Sequence, residues 1–120
     1  MNVESHKDLD VWKRSMDLVT DVYRLTQKWP VEEKYGLTSQ LRRAAVSIPS
    51  NIAEGSARGS TADFSRFLNI AQGSLAEVET QLEIACRVDL LDRTSLLTNE
   101  IISLRRMLSG LKKISGLQIV

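Results

Sequence analysis

Apolar residues recur along most of the chain at alternating steps of three and four, the spacing that places side chains on one face of an α-helix. The run is longest in the second half of the sequence, where it comprises Phe64, Leu68, Ala71, Leu75, Val78, Leu82 and Ala85. Runs of β-branched residues with a period of two, which would build a sheet, do not occur in the sequence. The pattern therefore predicts an all-α protein.

Three other segments repeat the helical spacing. The first is interpreted as burying Leu9, Trp12, Met16, Val19, Tyr23 and Thr26 on one face. The second carries Leu37, Leu41, Ala44 or Ala45, Ile48 and Ile52, and the last carries Leu97, Ile101, Leu104, Leu108 and Leu111. Together the four patterns predict helices at about residues 8–28, 37–56, 61–88 and 93–114.

Short connectors separate these patterns, and glycine or proline marks two of them. The connectors are Trp29–Gly36, the GSARGS segment Gly55–Ser60, and Asp89–Asp92. Ser60 or Thr61 is a candidate N-cap of the third helix, and Asp92 or Thr94 of the fourth. Connectors this short favour antiparallel neighbours, so we expect an antiparallel up-down-up-down four-helix bundle that forms a single domain over residues 1–120.

Two residues weaken the helical preference inside the predicted helices. Pro49 lies within the second pattern, where a proline removes a backbone donor and crowds the carbonyl four residues earlier. The sequence therefore predicts that helix 2 is kinked or broken near Pro49. Gly73 weakens the third helix relative to alanine and is interpreted as a point where another helix approaches closely.

Two long segments carry a resemblance to a known family. They are LTSQLRRAAVSIPSNIAEGSARG from Leu37 to Gly59 and DFSRFLNIAQGSLAEVETQLEIA from Asp63 to Ala85. The opening DLDVWKRSMDLVTDVYRLTQKWP extends the match to about residues 8–91. The chain resembles the four-helix-bundle family of 23S rRNA intervening-sequence proteins, and this resemblance implies the bundle fold without implying an activity.

A related group, the accessory variability determinants of diversity-generating retroelements, is similar in architecture. Its members form a pentameric ring that binds nucleic acid and a reverse transcriptase. Through that similarity the resemblance implies a homo-oligomer, a pentamer if the ring is shared, with an RNA- or DNA-binding surface. No motif in the sequence identifies the chain as a retroelement component.

Composition narrows the classes of function. The 120 residues include 16 basic and 15 acidic side chains, so the net charge of +1 creates no global field that attracts nucleic acid or anionic membranes. Cys86 is the only cysteine, the N-terminus lacks the apolar stretch of a secretory signal, and no run of about 18 apolar residues occurs. We therefore expect a cytoplasmic protein that does not enter a membrane.

Catalytic chemistry finds little support in the sequence. His6 is the sole histidine and lies near the terminus, while Cys86 follows the apolar face of the third helix. Neither is placed as part of a nucleophile and base pair. The chain has no Glu-x-x-His pair of a di-metal bundle, and GSARGS lacks the lysine of a phosphate-binding loop. We expect no catalytic residue, metal, cofactor or small-molecule substrate.

Positive charge is predicted to gather at one end of the bundle, where the first and third helices begin and the second and fourth end. The tentative nucleic-acid-binding residues are Lys13, Arg14, Arg58, Arg66, Arg105, Arg106, Lys112 and Lys113, opposed mainly by Asp8, Asp10, Glu54 and Asp63. Such a patch would hold phosphates by charge and counterion release. Alternatively, these side chains only solvate helix faces and complement the helix dipoles. Both interpretations stay open at this point.

Four polar residues of the second helix are interpreted as structural. Arg42 or Arg43 is expected to pair with a carboxylate, either within the bundle or across a subunit interface, and phosphate contact is the alternative. The candidate carboxylates are those of Glu79, Glu83 and Asp21. Asn51 and Glu54 follow the proline closely, so we expect them to satisfy loose backbone groups or to cap the next connector.

The leading hypothesis is a non-enzymatic homo-oligomeric bundle that binds nucleic acid or a ribonucleoprotein partner through its basic end. The rival is a protein-interaction scaffold that binds no nucleic acid. Its interface would use apolar residues that lie off the predicted core faces, namely Val22, Ile70, Leu91 and Ile102.

Overall fold

Four α-helices account for most of the chain. The computed structural model describes residues 5–33 and 35–119, with side chains as far as Ile114. The helices are α1 (Asp10–Thr26), α2 (Leu37–Ala57), α3 (Thr61–Arg87) and α4 (Thr98–Ile119). Short 3-10 helices precede α1, α2 and α4 at His6–Asp8, Val31–Glu33 and Arg93–Ser95. No strand occurs within these described ranges, so the all-α prediction is confirmed.

Neighbouring helices run antiparallel, as the short connectors predict. The helix α2 packs against α1 and α3, and α4 packs against α3 and α1. On the α2–α3 side, Ser47 Oγ lies 2.8 Å from Ser74 Oγ. Gly55, further along α2, faces Phe67, which comes earlier in α3. The molecule is therefore the predicted four-helix bundle.

One hydrophobic cluster fills the space between the helices. It contains every side chain of the apolar face predicted for α3, from Phe64 to Ala85. It also contains the central positions of the faces predicted for α2 and α4, with the terminal leucines of those faces packed against its edge. The spacing of apolar residues thus identified the core correctly in three of the four helices.

The core face of α1 differs from the prediction. Its buried side chains are Val11, Ser15, Leu18, Val22 and Thr26. Met16 and Tyr23, which the pattern assigned to the core, are instead 39% and 40% exposed. Val22, which was expected at an interface, is fully buried. Two apolar stripes overlap on this helix, and only its packing against both neighbours selects between them.

Hydroxyl groups can occupy the α1 core face because the helix backbone accepts their hydrogen bonds. Ser15 Oγ donates to the carbonyl of Trp12 at 2.8 Å, and Thr26 Oγ1 donates to the carbonyl of Val22 at 2.8 Å. A buried polar group is costly only when it lacks such a partner. Serine at a core position is therefore compatible with a packed helix.

The α3–α4 connector is longer than the sequence predicts. The side chain of Asp92 accepts a hydrogen bond from the backbone of Thr94 at 2.9 Å, but it caps the 3-10 helix Arg93–Ser95. Leu97 then adopts a φ of +56°, a left-handed conformation that interrupts a right-handed helix. As a result α4 begins at Thr98, about five residues after its predicted start.

Pro49 does not break α2, which continues from Leu37 to Ala57. Beside it, Asn51 Nδ2 donates to the Ser47 carbonyl at 2.7 Å and to Ser47 Oγ at 2.9 Å. These bonds strengthen the turn around the residue that lacks a backbone donor. The predicted break is therefore wrong, while a bend of the helix axis stays a prediction.

Gly55, and not Gly73, marks the close approach of two helices. A Cβ atom added at Gly55 would lie 2.7 Å from Phe67 Cβ and 3.1 Å from Phe64 Cδ1. A Cβ atom added at Gly73 would have no neighbour within 4 Å. The interpretation of Gly73 as a packing contact is therefore wrong, and α2 approaches α3 closely at Gly55, near the connector that joins them.

Candidate nucleic-acid interface

Two of the eight predicted basic residues lie beside the α2–α3 connector, a region that we refer to as the α2–α3 end, and both are neutralised. Arg58 Nη2 lies 2.7 Å from Glu54 Oε2, and Arg66 Nη2 lies 3.7 Å from Asp63 Oδ1. Both guanidinium groups also lie over the ring of Phe67, with Cζ 5.2 Å and 4.6 Å from its centroid. Each arginine therefore covers part of an aromatic ring. The carboxylate paired with it cancels its charge, so neither pair adds net charge to this surface.

Arg105 is neutralised too, and it lies away from that end. Its Nη2 is 2.6 Å from Glu79 Oε1 on α3. Glu79 follows Arg66 by 13 residues, so the two arginines contact α3 about 20 Å apart along its axis. The structure therefore does not bring all eight basic residues together, because α4 passes the middle of α3 at this point.

The other five predicted residues differ from these three arginines. None of them forms an ion pair with another described residue, and all lie on α1 or α4: Lys13, Arg14, Arg106, Lys112 and Lys113. We refer to these five residues as the α1–α4 basic surface. Two of them have neutral hydrogen-bond partners, which hold a side chain in place without removing its charge.

Contacts between helices order part of this surface. Arg14 Nη1 donates to Ser103 Oγ on α4 at 3.5 Å, so its guanidinium reaches across the α1–α4 seam. Arg106 lies three residues beyond Ser103, on the same side of α4. Lys113 follows Arg106 by two helical turns, about 10 Å along one face. These three cations therefore form a row along the seam.

Lys112 lies on the α3 side of that row. Its Nζ donates to Gln72 Oε1 at 2.7 Å, and Gln72 Nε2 in turn donates to Ser109 Oγ at 2.8 Å. The glutamine thus connects α3 to α4 through two neutral groups. The ammonium group is oriented by this bond and is not neutralised by it.

The charge of α4 contrasts with that of α3. The helix α4 contains four basic residues and one acidic residue, whereas α3 contains two basic and four acidic residues. At physiological ionic strength charges interact over about 8 Å, which is less than the length of either helix. A near-neutral chain therefore has a locally positive side along α4.

The four polar residues assigned to structure lie on α2, but their partners differ from the prediction in part. Arg42 makes no ion pair with a described residue; its Nε donates to Thr26 Oγ1 at 2.8 Å, and its Cζ lies 4.5 Å from the Tyr23 ring centroid. Arg43 is exposed. Asn51 bonds the backbone near the proline, and Glu54 pairs with the arginine that follows α2.

A second ion-pair cluster, at the α3–α4 connector, was not anticipated from the sequence. Glu83 Oε2 lies 2.9 Å from Arg93 Nη2 and 2.9 Å from Arg87 Nε. The hydrogen bonds from Arg93 and from Arg87 lower the pKa of Glu83 to about 2. The spacing of Glu83 and Arg87 by four residues is the signal that sequence reasoning missed. One carboxylate therefore offsets one of two arginine charges at the end opposite Arg66.

The described residues offer little to support catalysis. They contain no group of three or more His, Cys, Asp or Glu side chains that could hold a metal ion. Cys86 is buried, and this burial raises the pKa of its thiol and so disfavours the reactive thiolate. None of the helices, as far as they are described, has the length and apolar character needed to cross a membrane.

Comparisons with known proteins relate the chain to a family and to a solved fold. The sequence model of a family described as 23S rRNA-intervening sequence protein matches residues 7–110. A solved structure from Bacteroides thetaiotaomicron, a protein of unknown function from the S23 ribosomal protein family, is 27% identical with a TM-score of 0.78. That similarity covers 86% of this chain and 95% of the other. No curated protein matches the sequence.

Proposed function

Because the chain belongs to the family of 23S rRNA-intervening sequence proteins, we propose that it is a non-enzymatic, homo-oligomeric helical bundle that binds the phosphate backbone of nucleic acid. The α1–α4 basic surface is the proposed contact. The resemblance described above supports self-association, and a pentamer is the first state to test. Self-association would repeat the basic surface and multiply weak phosphate contacts.

One observation carries this proposal: the five cations of the α1–α4 basic surface have no carboxylate partner among the described residues, whereas the arginines elsewhere on α3 and its connectors do. Unpaired lysine and arginine side chains bind phosphates and release condensed counterions. The row formed by Arg14, Arg106 and Lys113 follows a helix axis, as a backbone contact requires.

The proposed contact recognises the shape and charge of the nucleic-acid backbone and does not recognise the base sequence. Base readout of single strands depends on aromatic side chains that stack on the bases. The α1–α4 basic surface contains none, and Phe64 and Phe67 are buried. We therefore expect similar affinity for unrelated sequences and a strong dependence on salt.

Fluorescence anisotropy with labelled RNA and duplex DNA tests the proposal. Binding should be measurable at low salt and should weaken as salt rises, with a log–log slope of about −0.9 per neutralised phosphate for duplex DNA. The double variant Arg106→Ala/Lys113→Ala should reduce the magnitude of that slope by about 2 and weaken binding to all sequences alike.

The matched control removes the same charge from another part of α1 and its connector. Arg24 and Lys28 are exposed and form no ion pair with a described residue, and they lie 10 or more residues from Arg14. The variant Arg24→Ala/Lys28→Ala should bind nucleic acid nearly as well as the unmodified protein. Equal loss in both variants would show that only net charge matters, and no binding at low salt by the folded protein would refute the proposal.

The second candidate is a protein-interaction scaffold without nucleic-acid binding. The observation that favours it is an apolar groove between α1 and α2, about 270 Å³ in volume and lined by Trp12, Met16, Val19, Val46, Pro49, Ser50 and Ala53. Of the off-core positions predicted for such an interface, Ile70 and Ile102 are exposed and Leu91 is half-buried. Oligomerisation without any anisotropy change would favour this candidate.

A further inference from the structure

The α1–α2 groove has an apolar floor and one cationic end. None of its seven lining residues is charged. One helical turn further, Tyr23 of α1 and Arg42 of α2 meet, with the guanidinium over the tyrosine ring at 4.5 Å. Arg42 has a hydroxyl partner and no carboxylate partner among the described residues. The groove thus presents an apolar slot beside an uncompensated guanidinium.

The α1–α2 connector carries the two most exposed large apolar side chains among the described residues. Val31 is 81% exposed and Tyr35 is 89% exposed. Val31 lies in the 3-10 helix that follows Pro30, and Glu33 N donates to the Pro30 carbonyl at 3.0 Å. Between them Glu32 is exposed and forms no ion pair with a described residue. This connector therefore presents an apolar pair next to a carboxylate.

We propose that the α1–α2 connector of one copy of this chain docks into the α1–α2 groove of a second copy, with Val31 and Tyr35 in the apolar slot and Glu32 beside Arg42. This inference rests on the self-association in the proposed function and identifies its interface. The contact joins two different surfaces of the same chain. Such a heterologous contact closes into a ring when the rotation between copies permits it.

Complementary charge selects this groove over the larger one between α3 and α4. That second groove, about 470 Å³ in volume, includes Glu79, Glu83 and Arg87 among its lining residues. Arg87 is the one arginine that lines this groove, and it already pairs with Glu83. The groove therefore offers no unpaired guanidinium group to Glu32. The α1–α2 groove has one in Arg42. Charge therefore favours the α1–α2 groove over the α3–α4 groove as the site for the connector.

The side chains of the connector and the length of the groove also favour this docking. Tyrosine side chains in the centre of an interface dominate binding energy because they bury a large ring with little loss of rotamer freedom. Docking would also remove the exposed apolar surface of Val31 and Tyr35 from water. The groove spans two turns of α1 between Trp12 and Val19, about 10 Å, which is long enough for two side chains.

Light scattering after size-exclusion chromatography tests the inference with two variants. Tyr35→Ser removes the connector's ring, and Val46→Glu places a carboxylate in the groove near Arg42. Each variant alone should weaken self-association about tenfold or more. Mixed together, they should form a complex with twice the mass of the 13.5 kDa chain and no larger species. One partner then supplies an intact groove and the other an intact connector.

Two matched controls make the same kinds of substitution at exposed positions outside the connector and the α1–α2 groove. Ile70→Ser truncates an exposed apolar residue of α3, and Ile84→Glu adds a carboxylate to the α3–α4 groove. Both controls should retain the mass of the unmodified protein. Circular dichroism melting shows whether each variant is folded, and Met16→Glu replaces Val46→Glu if the latter unfolds.

The outcomes separate this inference from the proposed function. If the unmodified protein is oligomeric and neither connector nor groove variants change its mass, the inference is wrong, while nucleic-acid binding is decided by the anisotropy series. If the mixture of the two variants forms no complex, the inference is also wrong. A monomeric unmodified protein would refute both the interface and the proposed self-association.

Discussion

Two regions of the bundle carry basic side chains and use them differently. At the α2–α3 end, Arg58 and Arg66 pair with carboxylates and lie over Phe67. On the α1–α4 basic surface, residues such as Arg106 and Lys113 have no carboxylate partner among the described residues. Basic side chains therefore pack against a carboxylate and an aromatic ring in one region and form no ion pair with a described residue in the other.

The ion pairs of Arg58 and Arg66 have a local cause that the sequence contains. Arg58 follows Glu54 by four residues and Arg66 follows Asp63 by three, so each carboxylate lies on the same side of its helix. The only carboxylate of α4 is Glu100, which lies six residues before Arg106. Spacing alone does not separate the two groups, however, because Lys13 and Arg14 follow Asp10 by three and four residues and still form no ion pair with a described residue.

The largest expected effect concerns the tight packing that forms the α2–α3 end. Gly55→Val should reduce the free energy of unfolding by about 3 kcal/mol, because the new side chain meets Phe67 Cβ at a distance no ordinary contact allows. Urea denaturation monitored by circular dichroism measures the change. Gly73→Val is the control, since its side chain enters open space, and it should stay within about 0.5 kcal/mol of the unmodified protein.

A smaller effect compares one arginine from each region. Arg58→Ala removes an ion pair and a contact with the Phe67 ring, so the free energy of unfolding should fall by about 1 kcal/mol. Arg106→Ala should leave stability within about 0.5 kcal/mol while weakening nucleic-acid binding. The comparison fails if Arg106→Ala costs as much stability as Arg58→Ala, because the surface cation would then be structural.

The smallest effect is the pH dependence of the ion-pair cluster at the α3–α4 connector. The pKa of Glu83 is about 2 in the folded chain and near 4.3 in an unfolded one. A lowered carboxyl pKa stabilises the folded state above the unfolded pKa, and this stabilisation disappears as pH falls from about 4.3 towards 2.

This pH dependence can be measured as the urea midpoint of the unmodified protein and of Glu83→Gln. The unmodified protein should have the higher midpoint at neutral pH, and the difference should shrink through that acidic range. The control Glu77→Gln changes an exposed glutamate that has no ion pair among the described residues. A constant difference for Glu83→Gln across the same range would contradict the expected stabilisation.

The sequence by itself determined the four helices, their antiparallel order and the core faces of α2, α3 and α4, because a period of 3.6 residues and short connectors are local properties. It also contained the acidic neighbours of Arg58, Arg66 and Arg87 at three-residue or four-residue spacing. These features depend on residues close together in the chain, so the sequence contains their signal.

Only the tertiary structure decided which stripe of α1 is buried, that Gly55 and not Gly73 lies at a helix contact, and that Glu79 of α3 neutralises Arg105 of α4. Each of these depends on the rotation and the axial offset of one helix against another. Side-chain packing in the shared core sets both quantities, and a spacing along one helix contains no information about the neighbouring helix.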